Sequence, residues 1–192
     1  MSVLSRDFYS RSPVTVAKEL VGKKLVRRLP GGKTVGGIIV ETEAYGGAKD
    51  PASHAYRGIT SRNVVMFGEA GHAYVYFTYG AHHCLNFVTG KDGEASAVLI
   101  RSIRPTVGLS VMSQNRKRFS PEDLASGPGK LCQALAIDRR LNGIDVTTRK
   151  SPIFVLNQEQ RPEIVSSFRV GIRVGKDRKW RFYAKGNRFV SK

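Results

Sequence analysis

Acidic residues are scarce in this sequence. Fifteen aspartates and glutamates stand against 32 lysines and arginines, giving a formal charge of +17 over 192 residues. With 41% apolar residues, the chain has enough material for a buried core, which excludes a disordered, solvating class. The basic excess lies mostly in the C-terminal half and points to a polyanion partner, nucleic acid first and a ribosome or membrane surface second. Cysteine is nearly absent. Cys84 and Cys132 cannot build a disulfide framework, and neither lies in a CxxC pair, which argues against a zinc knuckle. No apolar run approaches the roughly 18–20 residues that span a bilayer. The opening MSVLSRDFYS is polar and lacks a signal-peptide apolar stretch, so the chain reads as intracellular, in the cytoplasm or with the chromosome in nucleoid or nucleus. No internal repeat or low-complexity tract is present, and the length suits one domain over residues 1–192.

The pattern along the chain predicts a mixed α+β domain. Ser12-Pro13 opens a helix that carries Val14, Ala17, Leu20 and Val21 at helical spacing and stops at Gly22. Strands are expected at 24–29 and 34–45, with a Pro30-Gly31-Gly32 turn between them. Residues 46–63 read as a long loop, and long ordered loops are usually functional. The alternating aromatic run HAYVYFTY at 72–79, the turn signal Gly80 and the return at 83–88 predict a protruding β-hairpin. A further strand follows at 96–103, then a helix from Pro105 to about Arg118, and a capping-box-like Ser120-Pro121-Glu122-Asp123. A short helix is expected after the Gly127-Pro128-Gly129 turn, and short strands after 145, including 164–170 and 181–184. Regular strand–helix alternation is missing, so the sheet is expected to be antiparallel and curved, flanked by helices.

Several residues stand out chemically. On a strand, Glu41, Glu43 and Tyr45 share one face, and a carboxylate emerging from the apolar run Ile38-Ile39-Val40 is expected to be partly buried, which suits general base work. Two surface carboxylates beside basic residues are the bland alternative. His54 lies in the long loop, followed by Arg57 and Arg62; facing water is its default reading. Tyr74, Tyr76 and Thr78 share one face of the hairpin strand. Tyr79 sits at the tip, either folded over the turn or exposed as a wedge between base pairs. Adjacent His82, His83 and Cys84 point to alternating faces and cannot converge on a metal without a distorted backbone. Gly129 and Lys130 open a helix after small residues, which suits a DNA phosphate; the spacing is not that of a nucleotide-binding loop.

Long, ordered stretches then combine: IVETEAYGG at 39–47, His54 nine residues after Tyr45, RNVVMF at 62–67, YVYFTYG at 74–80, CLNF at 84–87, VLIRSIRP at 98–105, SGPGKLCQALAI at 126–137 and RFYAKG at 181–186. Together they resemble the alkyladenine-type 3-methyladenine DNA glycosylases, from about Pro13 to the C-terminus. The resemblance implies one α+β domain that binds duplex DNA in the minor groove as a monomer. It implies that a damaged purine is flipped out and its N-glycosidic bond hydrolysed by water, without cofactor, metal or membrane. It assigns Glu43 as general base, Arg101 as a partner of the attacking water and Val170 as the residue whose carbonyl touches that water. It places Tyr45, His54 and Tyr76 around the flipped base, Tyr74 in support of His54, Asn86 against the 2-amino group of guanine, and Tyr79 as the wedge. The lesions implied are 3-methyladenine, 7-methylguanine, hypoxanthine and etheno-adenine. His82-His83 departs from the apolar or aromatic residues that some members carry there. A basic nucleic-acid-binding module without catalysis is the competing reading; a half-buried Glu43 facing a polyanion speaks against it.

Overall fold

The computed structural model describes residues 1–158 and 162–191. Its centre is one eight-stranded antiparallel sheet. The strands are β1 (Lys24–Arg28), β2 (Thr34–Tyr45), β3 (Ala73–Thr78), β4 (His82–Thr89), β5 (Ser96–Val107), β6 (Ile153–Leu156), β7 (Ile164–Ser167) and β8 (Arg181–Ala184). The spatial order is β3-β4-β5-β2-β1-β6, with β8 also on β2 and β7 beyond it. The long β2 explains the curl. One edge runs along β5, while the other is divided, Thr34–Ile38 to β1 and Glu41–Glu43 to β8. The register against β5 shifts on both sides of Glu41, where the strand changes partner.

Helices α1 (Arg6–Tyr9), α2 (Pro13–Leu20), α3 (Leu109–Arg116), α4 (Pro121–Leu124) and α5 (Pro128–Ala134) flank the sheet. The α2 helix begins after Ser12 with Pro13 in its first turn and buries Val16, Ala17 and Leu20 against β2. The α5 helix buries Leu131, Cys132 and Ala134 against β4. The main core gathers Tyr9, Phe87, Phe182, Ile39, Ile100 and Met112, all removed from water.

Two expected boundaries move. The strand expected at 96–103 continues to Val107, and the helix expected from Pro105 begins at Leu109. Twelve-residue β2 continues to offer pairing partners as far as Gly36↔Val107, and this outweighs the local helical spacing. Close pairing is possible because Gly37 has no side chain; a Cβ there would sit 2.1 Å from the Arg104 carbonyl oxygen. Near the C-terminus, the strand expected over 164–170 stops at Ser167, since the next residues turn inward to the site. Ser120 precedes α4, but its hydroxyl bonds the Glu122 side chain rather than capping the helix.

Candidate active site

Strands β2 and β5 bring Glu41, Glu43, Tyr45 and Arg101 together from one face of the sheet. Both glutamates are wholly buried, more deeply than the strand pattern alone implied. Unpaired, such charges would be prohibitively costly in a low-dielectric interior, and both are paired. Glu41 lies 2.8 Å from Arg101 Nε and 2.7 Å from Arg181 Nε. It also accepts the Ser191 amide at 2.8 Å and the Ser102 hydroxyl at 3.1 Å. Burial pushes this carboxyl up, but Arg101, the Ser191 amide and Arg181 outweigh it and hold Glu41 below the usual carboxylate range.

Glu43 is held differently. Its Oε1 accepts the Val170 amide at 2.8 Å and lies 3.2 Å from Arg101 Nη1. Its Oε2 accepts the Tyr45 hydroxyl at 2.8 Å. Burial, then the neighbouring Glu43 charge, pushes the Tyr45 phenol far up, so it stays a donor. Val170 thus reaches Glu43 through its N–H. These three partners of Glu43 line a cavity of about 490 Å³, and the carboxylate lies directly behind them.

The facing wall comes from the hairpin β3–β4 and the 46–63 segment. His54 Nδ1 lies 2.8 Å from the Tyr74 hydroxyl, and its ring meets Tyr76 edge-on at 4.5 Å. Burial and the charge of Arg62 push the His54 imidazole down to about 4, although part of the ring faces the open cavity. It is therefore neutral at neutral pH. Asn86, opposite Tyr74 in the ladder, donates its amide to the Tyr74 carbonyl at 3.1 Å and also lines the cavity. Tyr79 stands at the mouth, 86% exposed, with a left-handed backbone (φ 51°) that its Gly80 neighbour shares. His82 and His83 turn toward protein. His83 packs on Phe77 with ring centres 5.0 Å apart, and His82 fills the place a Cβ on Gly129 would need.

Lys130 is not a free cation, since its ammonium pairs with Asp123. The α5 helix that it and Gly129 open has seven residues. No group of three or more His, Cys, Asp or Glu side chains suited to a metal occurs among the described residues. No helix among them is long and apolar enough to cross a membrane.

Sequence reasoning overlooked a second buried ion pair, Asp50–Arg169, with both side chains wholly removed from water. Arg169 grips Asp50 with both terminal nitrogens, at 2.5 and 2.8 Å, and donates to the Ala44 carbonyl at 2.9 Å. Its guanidinium also lies over the rings of Tyr45 and Trp180. Arg169 thereby fixes both Tyr45 and the adjoining Val170, two of the three groups on Glu43. An aspartate four residues after Gly46 hints at a turn, and Asp50 does accept the Gly46 amide, but nothing local reveals a partner 119 positions away.

Comparison with known proteins identifies the family. The profile of the methylpurine-DNA glycosylase family matches residues 7–188. A protein of Carboxydothermus hydrogenoformans, provisionally named a 3-methyladenine DNA glycosylase, is 51% identical over 99% of both chains. One of Methanocella arvoryzae under the same name is 50% identical over 100% of this chain and 97% of its own. By sequence similarity along almost its whole length, this chain belongs to the methylpurine-DNA glycosylase family.

Proposed function

We propose that the protein hydrolyses the N-glycosidic bond of alkylated or deaminated purines in duplex DNA, with a water activated by Glu43. The observation that carries this reading is a wholly buried carboxylate, braced by Arg101, Val170 and Tyr45, immediately behind a cavity walled by His54, Tyr74 and Tyr76. The cavity volume falls within the ~300–1,000 Å³ usual for ligand pockets. Of the two carboxylate oxygens, Oε1 meets both Arg101 and Val170, whereas Oε2 receives, among the described residues, only the Tyr45 hydroxyl. Oε2 therefore keeps acceptor capacity for a water proton. Arg101 and the Val170 carbonyl orient that water, and the Glu43 charge stabilises the positive charge that develops on the sugar.

In this mechanism the damaged nucleotide leaves the stack and enters the cavity, and Tyr79 fills the gap in the duplex. Tyr45, His54 and Tyr76 enclose the base, where aromatic faces favour electron-poor methylated purines. Tyr74 orients His54 through the 2.8 Å hydrogen bond, and Asn86 obstructs the 2-amino group of ordinary guanine. Gly129 and Lys130 lie on the surface that meets the minor-groove backbone. The +17 charge supplies phosphate contacts, so binding weakens steeply with salt. The lesions fitted by this site are 3-methyladenine, 7-methylguanine, hypoxanthine and etheno-adenine. Water is the nucleophile, and a single copy of the chain suffices for a pocket that opens onto a DNA groove.

The test is incubation of the purified protein with methylated duplex DNA, scoring free methylpurine and abasic sites in the same tubes. Release of methylpurine with intact strands is expected. Salt-sensitive binding without release would favour the non-catalytic binding module.

A further inference from the structure

Apart from the neutral His54, the formally charged side chains that line the cavity are Arg101 and Arg173, among the described residues. They are placed very differently. Arg101 is buried and paired with Glu41 and Glu43. Arg173 is exposed, and its side chain has no carboxylate or hydrogen-bond partner among the described residues. It sits on a short loop that the floor of the site ties down at both ends. At one end the Val170 amide donates to Glu43 at 2.8 Å. At the other, Arg169 Nη2 donates to the Gly175 carbonyl at 3.1 Å while the same guanidinium grips Asp50. Between these ties, Gly171, Ile172, Arg173 and Val174 all line the cavity. A loop held in this way lowers the ordering cost of any contact made from it. Its surroundings suit an anion, since residues 171–179 carry Arg173, Lys176, Arg178 and Lys179 against the single acid Asp177.

We propose that Arg173 binds a backbone phosphate flanking the extruded nucleotide and so holds that nucleotide at the mouth of the cavity. The inference rests on the glycosylase reading above. In that reading the sugar C1′ lies against Glu43, which Val170 touches directly. Arg173 is three residues further on, a span of at most about 11 Å, and it lies on the solvent side. The base occupies the depth of the cavity, while the strand on either side of it stays in the duplex outside. The two flanking phosphates therefore cross the mouth, where the unpaired guanidinium is exposed. A guanidinium matches two phosphate oxygens with parallel donors. This contact forms once the nucleotide has left the stack, so Arg173 acts on capture and not on bond cleavage.

The test measures Kd for a hypoxanthine duplex and an undamaged duplex of one sequence. Glu43→Gln protein is used so that the lesion persists, with Arg173 intact or changed to Gln or Lys. The lesion duplex carries an ordinary backbone, or one neutral methylphosphonate on the 5′ or the 3′ side of the hypoxanthine nucleotide. With Arg173 intact, one of the two neutral linkages is expected to weaken binding by about three- to ten-fold, and Arg173→Gln to remove that sensitivity. On the ordinary lesion duplex, Arg173→Gln is expected to lose a similar factor, more than on undamaged duplex, and to lower the salt slope by about one. Arg173→Lys keeps the charge and is expected to keep the slope. Arg173 is exposed, so these substitutions leave the core intact. Equal losses on lesion and undamaged duplex overturn the proposal. A methylphosphonate cost that persists undiminished in Arg173→Gln at both positions overturns it as well. Base release by protein with Glu43 in place is followed separately on the same duplex and on methylated DNA. Absence of release from both defeats the glycosylase reading, whatever the phosphate dependence of binding shows.

Discussion

The floor of the cavity and its rim are held in opposite ways. On the floor, the side chains of Glu41, Glu43, Asp50, Arg101 and Arg169 are at most 8% exposed, and each charge has a named partner within 3.2 Å. At the rim, Tyr79 is 86% exposed and Val174 about half exposed, with no comparable network around them among the described residues. Rigid polar networks suit a group that must be aligned for chemistry, since a small displacement of a buried base is costly in rate. Free apolar side chains suit capture, because their burial is deferred until a partner arrives. The contrast extends to two residues of one strand. Glu41 spends its acceptor capacity on Arg101, Arg181, Ser102 and Ser191, whereas Glu43 retains a position on Oε2. In the proposed mechanism Glu41 is the anchor and Glu43 the reactive group.

Breaking the floor has the largest effect. Glu43→Gln is expected to lower purine release by roughly 10²–10⁴-fold while leaving DNA affinity equal or higher, because it removes a negative charge facing a polyanion. Full turnover in that variant assigns the base elsewhere. Next comes Asp50→Asn, which leaves the buried Arg169 without its counter-charge. Its cost is roughly 3–5 kcal/mol of stability, read as a lowered thermal midpoint. A midpoint equal to wild type would show that the pair does not brace the floor.

Rim variants act on capture. Tyr79→Ser is expected to remove ~1–3 kcal/mol of affinity for lesion duplex, with a smaller loss on undamaged duplex. Equal losses on both would remove Tyr79 from the wedge role. The smallest effect concerns His54. Its imidazole is held down to about 4 from the usual 6.5, so the unfolded chain binds more protons between those values. Stability is therefore full above about pH 6.5 and declines as pH falls toward 4. Thermal midpoints followed over that range should fall less in His54→Gln than in wild type, and parallel curves would contradict the shift.

Much of this was legible in the sequence because it depends on local pattern. Period-2 alternation placed Glu41, Glu43 and Tyr45 on one face, and the aromatic run before Gly80 placed Tyr79 at the hairpin tip, where the structure decides for exposure over folding back. The resemblance to known glycosylases added Arg101, Asn86 and Val170, which strand spacing alone cannot bring to Glu43. What escaped was long-range. The Asp50–Arg169 pair spans 119 positions, and no local signature links the two residues. The helix start at Leu109 was missed because the spacing from Pro105 onward is helical, whereas pairing with β2 carried the strand through to Val107. The pairing of Lys130 with Asp123, seven residues earlier, is likewise not announced by the small residues that open the helix.

The most direct test of the division between floor and rim is one duplex carrying one 7-methylguanine, with Kd and single-turnover rate at saturating enzyme measured for both Glu43→Gln and Tyr79→Ser. The account predicts a crossed result. Glu43→Gln loses rate and keeps binding, while Tyr79→Ser loses binding and retains most of its rate at saturation. Proportional loss of both quantities in both variants would contradict it, because floor and rim would then be acting as a single unit.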